Sequence, residues 1–464
     1  MKLRKRFRAS GLLVALATAL ACSREKRPVS RIESDTTRPA AEWLKLEPVR
    51  LLRDYVRIDT SQGKTEEAGA RFLGELLSCE GVETELVCPA PGRCNLLARL
   101  PGRRREGALL LLNHVDVADA YPGLWKEAPP FEGVIKGGYL YGRGAYDMKS
   151  LGLAQALALR DLKRNGVVPR SDILFLAEAD EELGQRWGSK WLLEHRPDWF
   201  KGVAAVLNEG GTTEMVVRDV RFWGLETLQA GYASAEFGAP AAGPLEELAG
   251  RWKRLSSTPV VPHPHVVLGF DMLANHLVNP LTDPLRHLDR VRRNPAELAA
   301  LPDRYGAFLE ARVFWTPPFP EPPEARDRLR SYVIVSTPPG VDPGKFLEPI
   351  LEDAARSRLP ALWKYSTGPT TASPYPTRFT ELLERVTEVR YPGVPFGPVP
   401  TFGGYTTSIY FRQKGIPAYG YAPIPMNITD SVRRHGNDER VFLRDYLNGL
   451  ALYSDIVAEF ALNP

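Results

Sequence analysis

The 464-residue sequence has only four cysteines, and no apolar run in it is long enough to span a bilayer as a helix. The first shortage leaves little for a structural zinc site, which usually draws on thiolates. The second excludes a helical transmembrane domain. Net charge is also low, and the formal +4 is misleading. In "MKLRKRFRASGLLVALATALACS", Lys2, Arg4, Lys5, Arg6 and Arg8 precede an apolar stretch from Gly11 to Ala21, the form of a signal peptide. Cleavage before Cys22 removes five basic and no acidic residues, taking +4 to −1. The basic balance belongs to the leader, so no nucleic-acid surface is implied.

"ALAC" resembles the box at which bacterial lipoproteins are cleaved and lipidated on the cysteine, here Cys22. Ala19 stands where leucine is commoner, so ordinary cleavage nearby stays open. Either way the chain is expected to be exported, and with lipid on Cys22 it would be anchored to a bacterial membrane, in the periplasm or at the outer membrane. Beyond Cys22 three cysteines remain, Cys79, Cys88 and Cys94. "VCPAPGRC" allows a small loop between Cys88 and Cys94, with Cys79 left as a buried thiol.

Residues 1–22 are thus a leader, and polar residues 23–40 read as a tether. From there strands alternate with helices. A helix near Glu66–Glu80 precedes a strand near Glu83–Cys88, then "NLLARL" and "GALLLLNHVD". A helix near Lys149–Asn165 is followed by "DILFLAEA", a helix near Ser189–His195 and "GVAAVLNEGG". Unbroken apolar runs of this kind suit strands covered on both faces. The expected fold is α/β, with a mostly parallel central sheet flanked by helices, over 41–225 and again over 373–464. Between them, 226–372 reads as an inserted α+β domain, with proline crowding 259–376 and making that part irregular and loop-rich.

Three of the apolar strands end in groups that bind metals: His114 and Asp116, Glu181 and Glu182, and Glu209. In open α/β sheets, sites form at the carboxyl ends of strands. His114 and Asp116 are two apart in extended chain and share a side, so the carboxylate can orient a metal-bound imidazole. Asp180, Glu181 and Glu182 stand adjacent in "EADEELG". Alone, that cluster would be a solvated turn; after a buried strand and beside two other ligand-bearing strand ends, it calls for cations.

The stretches "LLLLNHVDV", "WKEAPPFEGVIKGGYLYGRGAYDMKS", "EADEELG", "VLNEGG" and "IPAYGYAP…RRHGNDERV" resemble the zinc-dependent exopeptidase family of aminoacylase, carboxypeptidase S, glutamate carboxypeptidase and succinyl-diaminopimelate desuccinylase. The carboxypeptidase S-like branch is the most similar, since "RFWGLET" follows "LNEGG". The resemblance runs from about Trp43 to the C-terminus and is weak between about 230 and 370. It implies that the insert is a lid and dimerisation domain, hence a possible homodimer. It implies two divalent ions, Zn2+, held by His114, Asp147, Glu182, Glu209 and His435, with Asp147 bridging. Glu181 would be the general base acting on a metal-bridging water, and Asp116 the partner of His114. The implied reaction is hydrolysis of an amide beside a free carboxylate, in an N-acyl amino acid or short peptide.

The lid departs from the family pattern. Where relatives carry a GH-x-S-x-P loop, whose histidine reaches the partner's active site, this chain has "LQAGYASAEFGAPAAG". One alignment puts Tyr232 at the histidine. Where relatives read TDSRFFR, this chain has "TTSIYFR" with Ile409. Tyr232, His263 and His265 of "VPHPH", and Gly403 and Gly404 of "FGGYTTS" are the candidate substrate contacts. A metal-binding but catalytically silent homologue is the rival reading, and retention of Glu181 weighs against it.

Overall fold

The computed structural model describes residues 34–216, 219–276, 281–320, 329–402 and 404–463. Cys22 with the rest of the leader, and Gly403, lie outside them. Strands β1 (Glu83–Ala90), β2 (Arg93–Leu100), β3 (Arg104–His114), β4 (Val134–Lys136), β5 (Tyr139–Tyr141), β6 (Ser171–Glu178), β7 (Val203–Asn208), β8 (Thr212–Val216) and β9 (Asp219–Gln229) come first. Then follow β10 (Gly231–Ala239), β11 (Arg312–Trp315), β12 (Phe319–Pro320), β13 (Leu329–Thr337), β14 (Ala361–Ser366), β15 (Phe396–Thr401), β16 (Ala418–Gly420) and β17 (Arg440–Phe442).

The central sheet runs β1-β2-β6-β3-β7-β16-β9-β15, with β8 beside β9. Its middle, β6-β3-β7-β16, is parallel. The leucine run of β3 explains this placement. Leu109 and Leu111 face one apolar layer, shared with the helices Glu67–Ser78, Lys149–Arg164 and Leu443–Leu462. Leu110 and Leu112 face the other, with the helices Ser189–His195 and Ser408–Gln413. Alternate side chains leave a strand on opposite faces, and only a strand covered twice can make both sets apolar. No helix among the described residues is long and apolar enough to cross a membrane.

A second sheet, β11-β13-β10-β14 with β12 on β13, is antiparallel and packs the helices Ala242–Arg251 and Gly344–Arg356 on one face. It begins later than the sequence suggests, because β9 belongs to the central sheet through Gln229. The proline-rich part is also not mainly loop. Helices Pro264–His276, Thr282–Arg286, Leu288–Val291, Pro295–Ala300 and Asp303–Gly306 fill it. Pro264 and Pro295 each occupy a first helical position, where the missing N–H costs nothing. These helices leave the lid and cover the central sheet instead, burying Val266, Phe270 and Leu273 against Phe222, Leu228 and Val399. A Cβ on Gly269 would sit 2.9 Å from the Val399 Cα, so the helix lies directly on β15.

Three local readings change. The segment read as a tether is docked from Asp35, which is buried and accepts two hydrogen bonds from Arg444, at 2.9 and 2.6 Å. Cys88 and Cys94 are joined, but Cys79 is exposed rather than buried. The last helix starts at Leu443, not Glu439, because Arg440–Phe442 pairs with β5.

Candidate metal centre

Three parallel strands deliver their C-terminal residues to one place. His114 closes β3 and pairs in register with Glu178, so the "DEE" turn begins beside it. Asp180 adopts a left-handed backbone, φ 65°, which turns the chain sharply out of β6. The three acids then take different directions. Asp180 accepts from the Trp187 N–H at 3.2 Å. Glu181 is buried in the site, and Glu182 reaches His435.

Asp116 does more than the sequence reading assigned to it. The His114 Nδ1 is 2.9 Å from the Asp116 main-chain carbonyl, and 3.6 Å from its carboxylate. The carbonyl therefore takes the imidazole proton. The carboxylate instead accepts the backbone N–H groups of Glu181 and Glu182, at 3.1 and 2.9 Å. It thereby fixes the turn that carries both acids.

Asp147 joins the two halves of the centre. Its Oδ1 lies 3.3 Å from His114 Nε2, and its Oδ2 lies 3.0 Å from His435 Nε2. Glu209 stands 3.7 Å from His114 Nε2, and Glu182 stands 3.0 Å from His435 Nε2. Two ligand sets result: His114, Asp147 and Glu209, and Asp147, Glu182 and His435, each with its donor atoms within 4.8 Å of one another. Glu182 Oε1 is buried and makes no hydrogen bond even to His435 so close by. Two acceptor atoms converging on a shared third point have this geometry, and a cation fits it. Carboxylate oxygens and imidazole nitrogens are the donors that hold catalytic zinc and similar divalent ions.

Electrostatics agree. Burial pushes the Glu181 carboxyl well above the usual range, helped by Glu209, Glu182 and Asp116 and opposed by His114. Burial and the Asp147 charge raise Glu209 to about 8. So many acids in one pocket need positive charge to remain ionised, and bound divalent ions supply it.

Asp147 is itself held from far along the chain. The buried Glu439 carboxylate accepts the N–H groups of Gly144, Tyr146 and Asp147 at 3.1, 2.9 and 3.1 Å, and pairs with Arg143 at 2.6 Å. His435, at φ 58°, sits four residues earlier in the same segment.

Residues 110–459 match peptidase family M20/M25/M40. The chain belongs to that family. It is accordingly a hydrolase, a metallopeptidase by family, and the ligand cluster is where its metal would sit. Aminoacylase-1B of Rattus norvegicus is 27% identical over 449 residues, covering 90% of this chain and 96% of that protein. A probable succinyl-diaminopimelate desuccinylase of Staphylococcus epidermidis is 34% identical over 148 residues. That match spans 32% of this chain and only 35% of the desuccinylase. In fold, the chain is similar to the M20 family metallo-carboxypeptidase Sso-CP2 from Sulfolobus solfataricus, with TM-score 0.68 and 15% identity over 90% of this chain and 99% of that one. Human carnosine dipeptidase 1 gives TM-score 0.66 at 17% identity, covering 93% and 99%.

The remaining candidates of this metallopeptidase fare differently. His263 and His265 stack edge-on at 4.8 Å at the start of the helix on β15, with His265 against Tyr375. Burial lowers His265 to about 4, with His263 and Arg412 adding to it, so its surroundings are apolar and cationic. Neither belongs to the ligand sets. Ile409 is fully buried in the core. The arginine three residues on, Arg412, is committed to Glu226 at 2.6 Å deep between elements. Gly404 faces open space. Tyr232 packs on Tyr405, a residue the sequence reading passed over, as it did Tyr365, Tyr410, Glu439 and the half-exposed Arg434, 3.9 Å from Asp147. The aromatic density of "LWKYS" and "YTTSIYF" was the available signal for the tyrosines.

Proposed function

We propose that the protein hydrolyses an amide bond next to a free carboxylate, in an N-acyl amino acid or a short peptide, using two divalent ions, Zn2+ by donor type. The observation that carries this reading is the division of Asp147 between two His–carboxylate sets with a buried, non-ligating Glu181 beside them. When bound, the two ions polarise the scissile carbonyl and make the attacking water more acidic. Glu181 takes the proton that this water loses and returns it to the leaving nitrogen, base first and acid second. Asp116 keeps the Glu181 backbone fixed while the side chain works. Arg434, at the mouth, is a cation able to meet the substrate carboxylate, a role Ile409 cannot fill.

The test compares N-acetyl amino acids and dipeptides with their C-terminal amides on zinc-loaded protein. Free acids are expected to be cleaved with kcat/KM at least about tenfold above the amides, the value of one charge-assisted contact. Equal rates on both would remove the carboxylate from the reading. Hydrolysis of neither series would bring the silent, ligand-binding alternative forward.

We further infer export and lipid attachment at Cys22. Stable anchoring needs more than one acyl chain, which a lipidated N-terminal cysteine provides. Cys22→Ser is expected to move the protein from the membrane fraction to the soluble one or leave it unprocessed. A wild type already soluble after cell lysis points to ordinary secretion.

A further inference from the structure

Four phenols gather over the "DEE" turn, from three separate parts of the chain. Tyr232 comes from β10 and Tyr365 from β14, both in the lid. Tyr405 lies in the loop after β15, and Tyr410 on the helix Ser408–Gln413. Tyr365 stacks on Tyr405, ring centres 5.1 Å apart, and its hydroxyl is hydrogen-bonded to that of Tyr410. Tyr232 tilts against Tyr405 at 5.4 Å.

The cluster is seated on the catalytic turn itself. A Cβ on Gly184 would meet the Tyr365 ring at 3.1 Å, so the lid strand rests on the residue two beyond Glu182. Tyr365 and Tyr410 are almost wholly buried, while Tyr405 is more accessible. Among the charged groups acting on Tyr405, Glu181 is the strongest, and Glu181 also acts on Tyr365 and Tyr410. No acid or base of the metal centre acts comparably on Tyr232.

We propose that Tyr405 is the hydrogen-bond donor to the oxyanion, supplied by the same chain and positioned by Tyr365 and Tyr410. The inference rests on the amide-hydrolysis reading. As water oxygen bonds to the carbonyl carbon, the π pair moves onto the carbonyl oxygen and Glu181 receives the water's proton. Tyr405 donates a hydrogen bond to that oxygen and neither gains nor loses its proton. On collapse the C–N bond breaks, and the proton on Glu181 passes to the nitrogen. A phenol has one proton to offer. The Tyr365 and Tyr410 hydroxyls are bonded to each other, Tyr365 holds the Tyr405 ring by stacking, and the Tyr405 proton is the one offered to the substrate. With Tyr405 as the donor, the oxyanion contact comes from the same chain rather than from a lid histidine.

Tyr405→Phe and Tyr365→Phe, each missing one oxygen atom, test this on zinc-loaded full-length protein, with methylphosphonate as a tetrahedral oxyanion probe. For Tyr405→Phe, kcat is expected to fall about a hundredfold with KM, zinc content and melting temperature held. Methylphosphonate affinity should fall about tenfold in the same variant. Tyr365→Phe acts only through Tyr405, so its kcat loss is smaller, again without change in KM. Unchanged kcat and unchanged methylphosphonate affinity in Tyr405→Phe would overturn the inference and leave the amide reading intact. A wild type inactive on amides, whose methylphosphonate binding still depends on Tyr405, would keep the donor and discard the amide reading.

Discussion

Glu181→Gln is expected to leave a protein that folds, binds its metal and turns over at least about a hundredfold more slowly, within the range by which a positioned acid–base group accelerates proton transfer. Glutamine has the same shape, and the Asp116 carboxylate still receives the residue-181 N–H at 3.1 Å. The turn and Glu182 therefore stay where they are. What disappears is the ability to accept a proton. Steady-state kinetics beside elemental analysis separate the two alternatives. Lost turnover with metal retained makes Glu181 the base, whereas loss of metal would make it a ligand.

Chelation is expected to lower the melting temperature by several degrees, and zinc to restore it. A ligand held at a thousand times its dissociation constant stabilises the native state by about 4 kcal/mol. The ligands come from the ends of β3, β6 and β7, from Asp147 and from His435. Unfolding separates all of them, so the full linkage is felt. Asp147→Asn should be the most damaging single ligand change, since its two oxygens serve both sets. Metal content should fall from two per chain to one or none. A melting curve indifferent to saturating zinc would refute the assignment.

The ligands on β3, β6 and β7 were legible for a simple reason. A strand covered on both faces must be continuously apolar, so the first polar residues after it mark its carboxyl end, where sites in such sheets form. Asp147 and His435 follow no such run, and only resemblance to relatives pointed to them. Asp116 stands beside His114 as expected, but it meets the ring through its carbonyl, and the task of its carboxylate was hidden. A backbone N–H shows nothing in sequence, and the carboxylate serves two of them. The tyrosine cluster was less legible still. Tyr232, Tyr365, Tyr405 and Tyr410 meet only because the lid closes on a turn some two hundred residues from β14 and the loop after β15. The short helices between 264 and 306 were masked by prolines whose position within a helix, not their number, decides the outcome.

The Glu439 contact bears on when the enzyme can come into being. Its bonds to residues 143–147 span 292 to 296 positions of chain. During synthesis 292 further positions of chain emerge before Asp147 acquires its support, and His435 arrives in the same late stretch. Pairings this distant in sequence close slowly. No N-terminal fragment, however well it packs β3 and β6, can mature into a two-metal enzyme. Loading of both metal positions waits for the segment that carries His435 and Glu439.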